Sequence, residues 1–259
     1  MSGGKLEAVT YLVTGQTSAI QNIERAVSMM GRKVDQMVLQ PLAAGIGILS
    51  QEEMDLGVVV VDIGGGVTNV GIFTKGSIGF SASVPVGSNY VTSDLSNLLK
   101  TTPEEAERLK TMHGSALFKI VPEKDSVDVM QVGQPVPRPM QRRVLCEIIE
   151  SRMREIADMT RQQVEKSGLM GMLPAGIVLT GGGSLMPGTE MLFEETMKHM
   201  RVRTAEPIPV ANVPKQPGLA VAVGLAKFTL QYYDELSPAS GQDSWKDKVR
   251  SLFSLVTGK

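Results

Sequence analysis

The chain has 259 residues, 42% hydrophobic and 20% charged, with a net charge of −1; this is enough to bury a sizeable core in one large domain or two smaller ones, and the charge gives no electrostatic case for nucleic acid as a partner. The one cysteine, Cys146, excludes an intrachain disulfide and a cysteine-built zinc site, fits a reducing compartment and is itself expected in the core. No apolar stretch reaches the roughly twenty residues of a spanning helix, and Met1 to Gly15 shows no apolar run behind a basic start, so a soluble body is expected.

In chain order, residues 9–13 predict a strand, and residues 17–31 a capped helix with Ile20, Ile23, Ala26 and Met30 on one face. Residues 34–39 predict another short strand. The stretch VVVVDIGGGVTNVGIF, residues 58–73, opens on four valines, which read as a strand buried on both faces. Asp62 closes that strand, three glycines turn the chain, and the alternation from Val67 to Phe73 predicts a second strand returning beside the first. Residues 81–86 predict a further strand, and a helix toward Lys100 begins at Ser88 or Thr92. TTPEEAERLK starts the next helix, with Pro103 and two acids in its first turn. Residues 119–139, with several prolines, predict short extended pieces or loops. Helical periodicity resumes over residues 144–167, with Leu145, Ile148, Ile149, Met153 and Ile156 on one side. Residues 177–179 predict a strand, followed by the turn TGGGS and a helix over residues 191–200. His113 and His199 lack ligand spacing, and no metal cluster is expected.

Two readings fit the first glycine turn. In one, the glycines only close a tight hairpin. In the other, the N–H groups of Gly64, Gly65 and Gly66 cradle a phosphate while Asp62 holds a hydrated divalent cation. No Gly-Lys-Ser/Thr follows, and G-x-G-x-x-G spacing is absent, so neither the helix-opening phosphate loop nor the dinucleotide fingerprint applies. For Gly181, Gly182, Gly183 and Ser184 the choice is between close packing and backbone contact with a ligand. Two glycine turns after buried strands suit the two ends of one nucleotide.

These motifs resemble the actin-like ATPase superfamily, with DIGGG as its second phosphate loop and TGGGS as its adenosine loop. More narrowly, the chain resembles the FtsA family of bacterial cell-division proteins: GRKVDQMVLQPLAAGIGILSQEEMDLGVVVVDIGGGVTNVGIF, VPVGSNYVTSDLS, PEEAERLKTMHGSA and AGIVLTGGGSLMPG follow in that family's order. The resemblance implies an α/β fold of the actin-like (ribonuclease H-like) ATPase class, incomplete at its N-terminus and ending in a C-terminal amphipathic helix. It implies ATP with Mg²⁺ as cofactors. It places Gln40 where relatives orient the attacking water, and Glu107 and Lys110 where relatives contact ribose and adenine. The last two lie three apart, on one helix face. Relatives usually carry Thr at Val67 and often Asp at Asn69, so weak hydrolysis is expected. The family's first phosphate hairpin and its small inserted subdomain have no counterpart here, so the chain is expected to be a C-terminal portion. In this reading residues 1–57 complete a first actin-like domain and residues 58–235 form the second. Residues 236–243 are a linker, and residues 244–259 a membrane-targeting helix.

That last segment places Trp245, Val249, Leu252, Phe253 and Val256 on one helical face, with Lys246, Lys248, Arg250 and Lys259 around it. An interfacial helix needs this pattern; a helix that docks back on the protein or on a partner is the alternative. The resemblance implies a tether for the tubulin-like FtsZ, through its C-terminal tail, at the inner face of the cytoplasmic membrane at the septum. It also implies actin-like self-assembly and contacts with other division proteins. The FtsZ-contacting surface falls within residues 86–172, where Arg138, Arg142 and Arg143 suit an acidic tail. An active actin-like ATPase or phosphotransferase, and a pilus-assembly adaptor, are the alternatives.

Overall fold

The computed structural model describes residues 10–198 and 200–236. Val9, His199, most of the expected linker and the whole of the expected terminal helix lie outside the described residues.

The valine run forms β1 (Val58–Ile63), buried along its whole length. Its residues alternate between two cores. Val59, Val61 and Ile63 join Val70 and Ile72 under Leu95, Leu145, Ile149, Met153 and Leu192. Val58 and Val60 face Phe73, Ala44, Ile48 and Ala220 on the other side. A strand covered on both faces has no polar positions to alternate, which is why it reads as a continuous β-branched run.

β2 (Thr68–Thr74) returns antiparallel to β1, and β3 (Ser77–Val84) follows antiparallel to β2. On the other side, β6 (Ile177–Thr180) and β7 (Val202–Thr204) continue the sheet in parallel, giving the order β3-β2-β1-β6-β7. A separate hairpin of β4 (Ser126–Val129) and β5 (Arg138–Gln141) stands apart.

One face of the sheet carries α4 (Ser88–Leu99), α5 (Pro103–His113), α6 (Arg142–Lys166) and α7 (Thr189–Met197). α5 begins as its sequence dictates. Thr102 Oγ1 accepts from Glu105 N, Pro103 fills the first turn, and two acids meet the positive end of the helix dipole. Arg152 of α6 grips Asp94 of α4 with two bonds of 2.7 and 3.0 Å and lies over the Tyr90 ring. Cys146 is buried in α6, and burial pushes its thiol pKa up.

The other face carries α2 (Gln40–Ile48) and α8 (Ala220–Leu236), with α3 (Gln51–Leu56) beyond α2. A Cβ at Gly224 would stand 1.7 Å from the Ala43 carbonyl oxygen, and one at Gly47 would stand 2.3 Å from that of Ala220. The two helices therefore cross with their backbones in contact, and only glycine fits at either position.

Several expected elements differ. Residues 10–13 and 34–39 are not strands: no strand among the described residues pairs with them, and extended segments without a ladder partner leave their backbone to solvent. The Tyr11 hydroxyl reaches the sheet, accepting from the Ser81 N–H at 2.9 Å and lying 3.1 Å from Ser81 Oγ. The expected helix near the N-terminus is α1 (Thr17–Met29), but Gln16 at its N-cap makes no side-chain cap, and none of its residues is buried. The strand expected over residues 81–86 begins earlier, at Ser77. The helix after TGGGS runs Thr189–Met197.

Candidate functional site

Asp62 and Thr180 are register partners at the carboxyl ends of the adjacent parallel strands β1 and β6. Each strand runs into its glycine turn there, so Gly64–Gly66 and Gly181–Gly183 leave the same edge of the sheet. In open α/β sheets this edge is where ligands collect. The proximity is direct: a Cβ at Gly181 would lie 2.4 Å from Asp62 Oδ1 and 2.5 Å from the Ile63 carbonyl oxygen.

Asp62 is 5% exposed. Burial raises its carboxyl above the ordinary value, against the pull of a 2.8 Å bond in which Gln40 Nε2 donates to Oδ2. Gln40 reaches it because it opens α2, whose first turn holds Pro41. Asn69 faces Asp62 across the β1–β2 ladder, and cross-strand partners project from the same face. Asn69 is 7% exposed, and its Nδ2 has no hydrogen-bond partner. A buried amide donor left unpaired costs free energy. Gln40, Asp62 and Asn69 thus form one polar cluster at the mouth of the hairpin.

The first turn differs in detail from its sequence reading. Gly64 N–H closes the turn on the Val67 carbonyl at 3.0 Å, so it is not free to cradle an anion. Gly65 and Gly66 are exposed, and their N–H groups have no acceptor among the described residues. The carbonyls of Gly64 and Gly65 accept from Ser88 N and Asn89 N at the start of α4. These bonds fix the turn from behind. Val67 belongs to the turn and not to the returning strand, which starts at Thr68; Thr68 spends its hydroxyl on the Val86 carbonyl.

The second turn divides its labour. Gly181 has φ +83°, and Gly183 would press a Cβ into Ile63 at 2.4 Å, so both serve close packing. Ser184 is buried with its hydroxyl donating to the Gly181 carbonyl. Gly182 alone is exposed with open space around it. The turn is held by Pro217, whose carbonyl accepts from Gly181 N–H at 3.2 Å and from Thr180 Oγ1 at 3.0 Å. Pro217 stands at the entry to α8, a link that the sequence reading missed.

Glu107 and Lys110 lie on one face of α5 and pair at 2.6 Å. Lys110 is 8% exposed and also donates to Thr92 Oγ1 at 2.8 Å and to the Ser88 carbonyl at 3.3 Å. Burial works to raise the Glu107 carboxyl, but bonds from Lys110 and Thr92 and the lysine charge outweigh it, and its pKa falls below the ordinary value. A pocket of about 360 Å³ beside them is lined by Asn89, Thr92, Ser93, Ser96, Asn97, Pro103 and Glu107. Asn89 in turn sits against Gly65, with its amide atoms about 3.0 Å from where a Cβ would project. The pocket and the first glycine turn are therefore contiguous.

The residues suit a nucleotide with a divalent cation. Gly65 and Gly66 offer free backbone donors, Asn69 an unpaired buried one, Asp62 a carboxylate with one oxygen outside the Gln40 bond, and the α5 pocket a polar cradle. No group of three or more His, Cys, Asp or Glu occurs among the described residues, so Asp62 would hold a cation largely through water. Two of the three arginines expected to be available on the 86–172 surface are committed elsewhere. Arg142 binds the His113 carbonyl and Asp125, and Arg143 binds the Val121 carbonyl and Glu123. Trp245, Lys248, Val249, Leu252, Phe253 and Val256 lie outside the described residues.

Among solved structures, the fold is similar to MreB5 of Spiroplasma citri bound to ADP, with a TM-score of 0.71 at 18% identity over 87% of this chain and 69% of that one. It is also similar to a PilM–PilN type IV pilus biogenesis complex, with a TM-score of 0.59 at 18% identity over 81% of this chain and 57% of that one. The architecture is therefore the actin-like ATPase fold. The chain is 39% identical over 234 residues to the cell division protein FtsA of Pseudomonas aeruginosa, covering 89% of this chain and 56% of that protein. It is 34% identical over 238 residues to that of Escherichia coli K12, covering 88% and 56%. The chain spans little more than half the length of these relatives. The family described as Cell division protein FtsA matches residues 59–224, from the second valine of β1 to the glycine where α8 crosses α2; both glycine turns, Asp62 and Asn69 lie within that match, and the chain belongs to the FtsA family of cell-division proteins.

Proposed function

We propose that the chain binds ATP with Mg²⁺ at the shared edge of β1 and β6, and acts in division as an actin-like tether that holds FtsZ at the inner face of the cytoplasmic membrane. One observation carries the nucleotide reading: two glycine turns leave adjacent parallel strands side by side, with a buried carboxylate at the end of β1 and an unpaired amide donor beside it on β2. MreB5 of Spiroplasma citri, similar in fold, has been crystallised with ADP and with AMPPNP. In this chain Gly65, Gly66 and Asn69 would meet the phosphates and Asp62 the hydrated cation. Gly182 and the α5 pocket, with Glu107 and Lys110, would meet the nucleoside. The bound polyphosphate supplies the charge that these donors are arranged to neutralise.

Nucleotide occupancy then sets self-assembly into actin-like filaments, and turnover is secondary. Gln40 supports this order: its amide orients a water but is a poor base, and Val67 contributes no hydroxyl. Membrane attachment rests on residues 244–259, whose spacing gives one apolar face flanked by lysines and arginine. No helix among the described residues is long and apolar enough to cross a membrane. Two measurements test the reading. Calorimetric titration with ATP and Mg²⁺ should show saturable binding that Asp62→Asn weakens. Flotation with anionic vesicles should recover the full chain but not a chain ending at residue 243. Absence of both would remove the proposal.

A further inference from the structure

A groove of about 1020 Å³ opens on the α2–α8 side of the sheet, away from the nucleotide site. Leu42 and Ile46 of α2, Phe73 of β2 and Ile78 of β3 supply its apolar wall, and Lys75 and Lys227 stand at its rim. Lys227 is fixed there by donating to the Ile46 carbonyl at 2.9 Å, and partial burial lowers its pKa. Gln231, one turn further along α8, also lines the groove. α8 thus delivers the chain to its final segment from the groove's own edge.

We infer that this groove is the resting seat of the chain's own residues 244–259, and that an anionic bilayer competes for the same apolar face. The inference rests on the membrane-binding reading of that segment. Length permits the return. The seven residues 237–243 reach about 24 Å when extended, whereas the stretch of α8 from Lys227 to Leu236 is about 14 Å long. Chemistry permits it as well. Trp245, Val249, Leu252, Phe253 and Val256 are spaced for one helical stripe, and Leu42, Ile46 and Ile78 in the groove are only partly covered.

Charge makes the seat reversible. Lys246, Lys248 and Arg250 of the segment meet Lys75 and Lys227 at the rim, so apolar contact holds the docked state against like-charge repulsion. At an anionic bilayer the same basic residues are attracted. The docked state is therefore strengthened by salt, which screens the repulsion, and the membrane state is weakened by it.

Trp245 is the one tryptophan of the chain, so its fluorescence reports the segment directly. In the full chain without lipid, its emission should be blue-shifted and shielded from acrylamide relative to the chain unfolded in urea. Ile78→Lys should shift the emission toward the unfolded value, leave far-ultraviolet circular dichroism unchanged and raise flotation with vesicles of phosphatidylcholine and phosphatidylglycerol several-fold at limiting lipid. Lys75→Glu, at an exposed turn, should do the reverse and lower flotation several-fold. Should Ile78→Lys misfold, Lys75→Glu alone still decides the matter. Trp245 emission equal to that of the unfolded chain, or equal flotation of the parent and Lys75→Glu, overturns the inference. A blue shift that fades on dilution also overturns it, because a second copy would then be the occupant. The two readings fail separately: an exposed Trp245 with intact flotation removes the seat and keeps the membrane, while a shielded Trp245 without flotation in any variant removes the membrane and keeps the seat.

Discussion

Gly182→Val separates the two uses of the TGGGS turn. A side chain at Gly182 meets nothing within 4 Å, and its backbone is not in the left-handed region. The folded protein should accept valine with a change within about 0.5 kcal/mol, the ordinary range for surface substitutions away from special features. A ligand lying against the turn would not accept it, because two methyl groups would occupy the contact surface. The expected loss is at least about tenfold in ATP affinity, or about 1.4 kcal/mol. Gly181→Ala is the complement. Gly181 holds φ +83°, and its Cβ would collide with Asp62 Oδ1 at 2.4 Å and the Ile63 carbonyl at 2.5 Å. With ψ at 164° this is the extended positive-φ region that is essentially glycine-only; it costs an alanine about 1–3 kcal/mol, and overpacking a further 1–3 kcal/mol. The sum, about 2–6 kcal/mol, should lower Tm by roughly 4 °C or more in a protein of this size. Thermal unfolding followed by circular dichroism, with calorimetric titration of ATP and Mg²⁺, reads both effects. If Gly182→Val binds ATP like the parent, the turn is a packing device and the nucleotide assignment fails there. If Gly181→Ala melts with the parent, the contact between the two turns is wrong.

Other outcomes follow from the same geometry. Burial raises the Asp62 carboxyl above its ordinary 3.8 against the Gln40 bond, so the folded chain holds that proton more tightly than the unfolded one, and stability falls as pH rises from the unfolded value through the folded one. Asp62→Asn should therefore gain little Tm below about pH 4 and reach a level gain at neutral pH, while losing about tenfold or more in Mg²⁺-dependent ATP binding; a gain largest in acid would contradict the sign. Steady-state turnover should stay below about 1 s⁻¹, and a faster rate abolished by Gln40→Ala would make hydrolysis the output. In the terminal segment, an aromatic of roughly 200 Å² supplies several kcal/mol at about 25 cal/mol per Å², against about 1 kcal/mol for a basic residue at an anionic surface. Trp245→Glu and Phe253→Glu should therefore reduce liposome sedimentation more than Lys248→Ala, and the reverse order would make the segment a basic patch.

The elements that could be read from sequence are those whose signal is local. β1 announced itself because a strand covered on both faces needs no polar alternation. α5 did so because Thr102, Pro103 and the following acids satisfy the first turn of a helix by themselves. The two glycine turns were visible for the same reason. Their adjacency was expected from the pair of motifs and the family resemblance, not from any local signal, because it depends on the parallel pairing of β1 with β6, which lie more than a hundred residues apart in the chain. The Asn69 donor was invisible: an asparagine opposite an aspartate becomes informative only once the ladder register puts both on one face. Arg142 and Arg143 looked like a free basic surface because their acceptors include two backbone carbonyls, and no sequence pattern marks a carbonyl.

α2 and α8 show a different failure of periodicity. Ala-Val-Ala-Val, at the start of α8, alternates like a strand in composition, and LAAGIGI in α2 is apolar on every side. Neither shows the single apolar stripe of a surface helix, because each helix touches the other as well as the sheet. What identifies them is the match between them. Ala43 and Gly47 lie four apart on α2, Ala220 and Gly224 lie four apart on α8, and each glycine of one pair meets a carbonyl of the alanine in the other. Two small residues at a spacing of four present a flat backbone, and a flat backbone is stable in water only against another like it. Once the crossing is made, the rest is fixed in place: Gln40 at the head of α2 reaches Asp62, and Pro217 ahead of α8 reaches Gly181. The close approach of the two helices therefore helps position groups on both sides of the candidate nucleotide site, although neither helix contributes a charged residue to it.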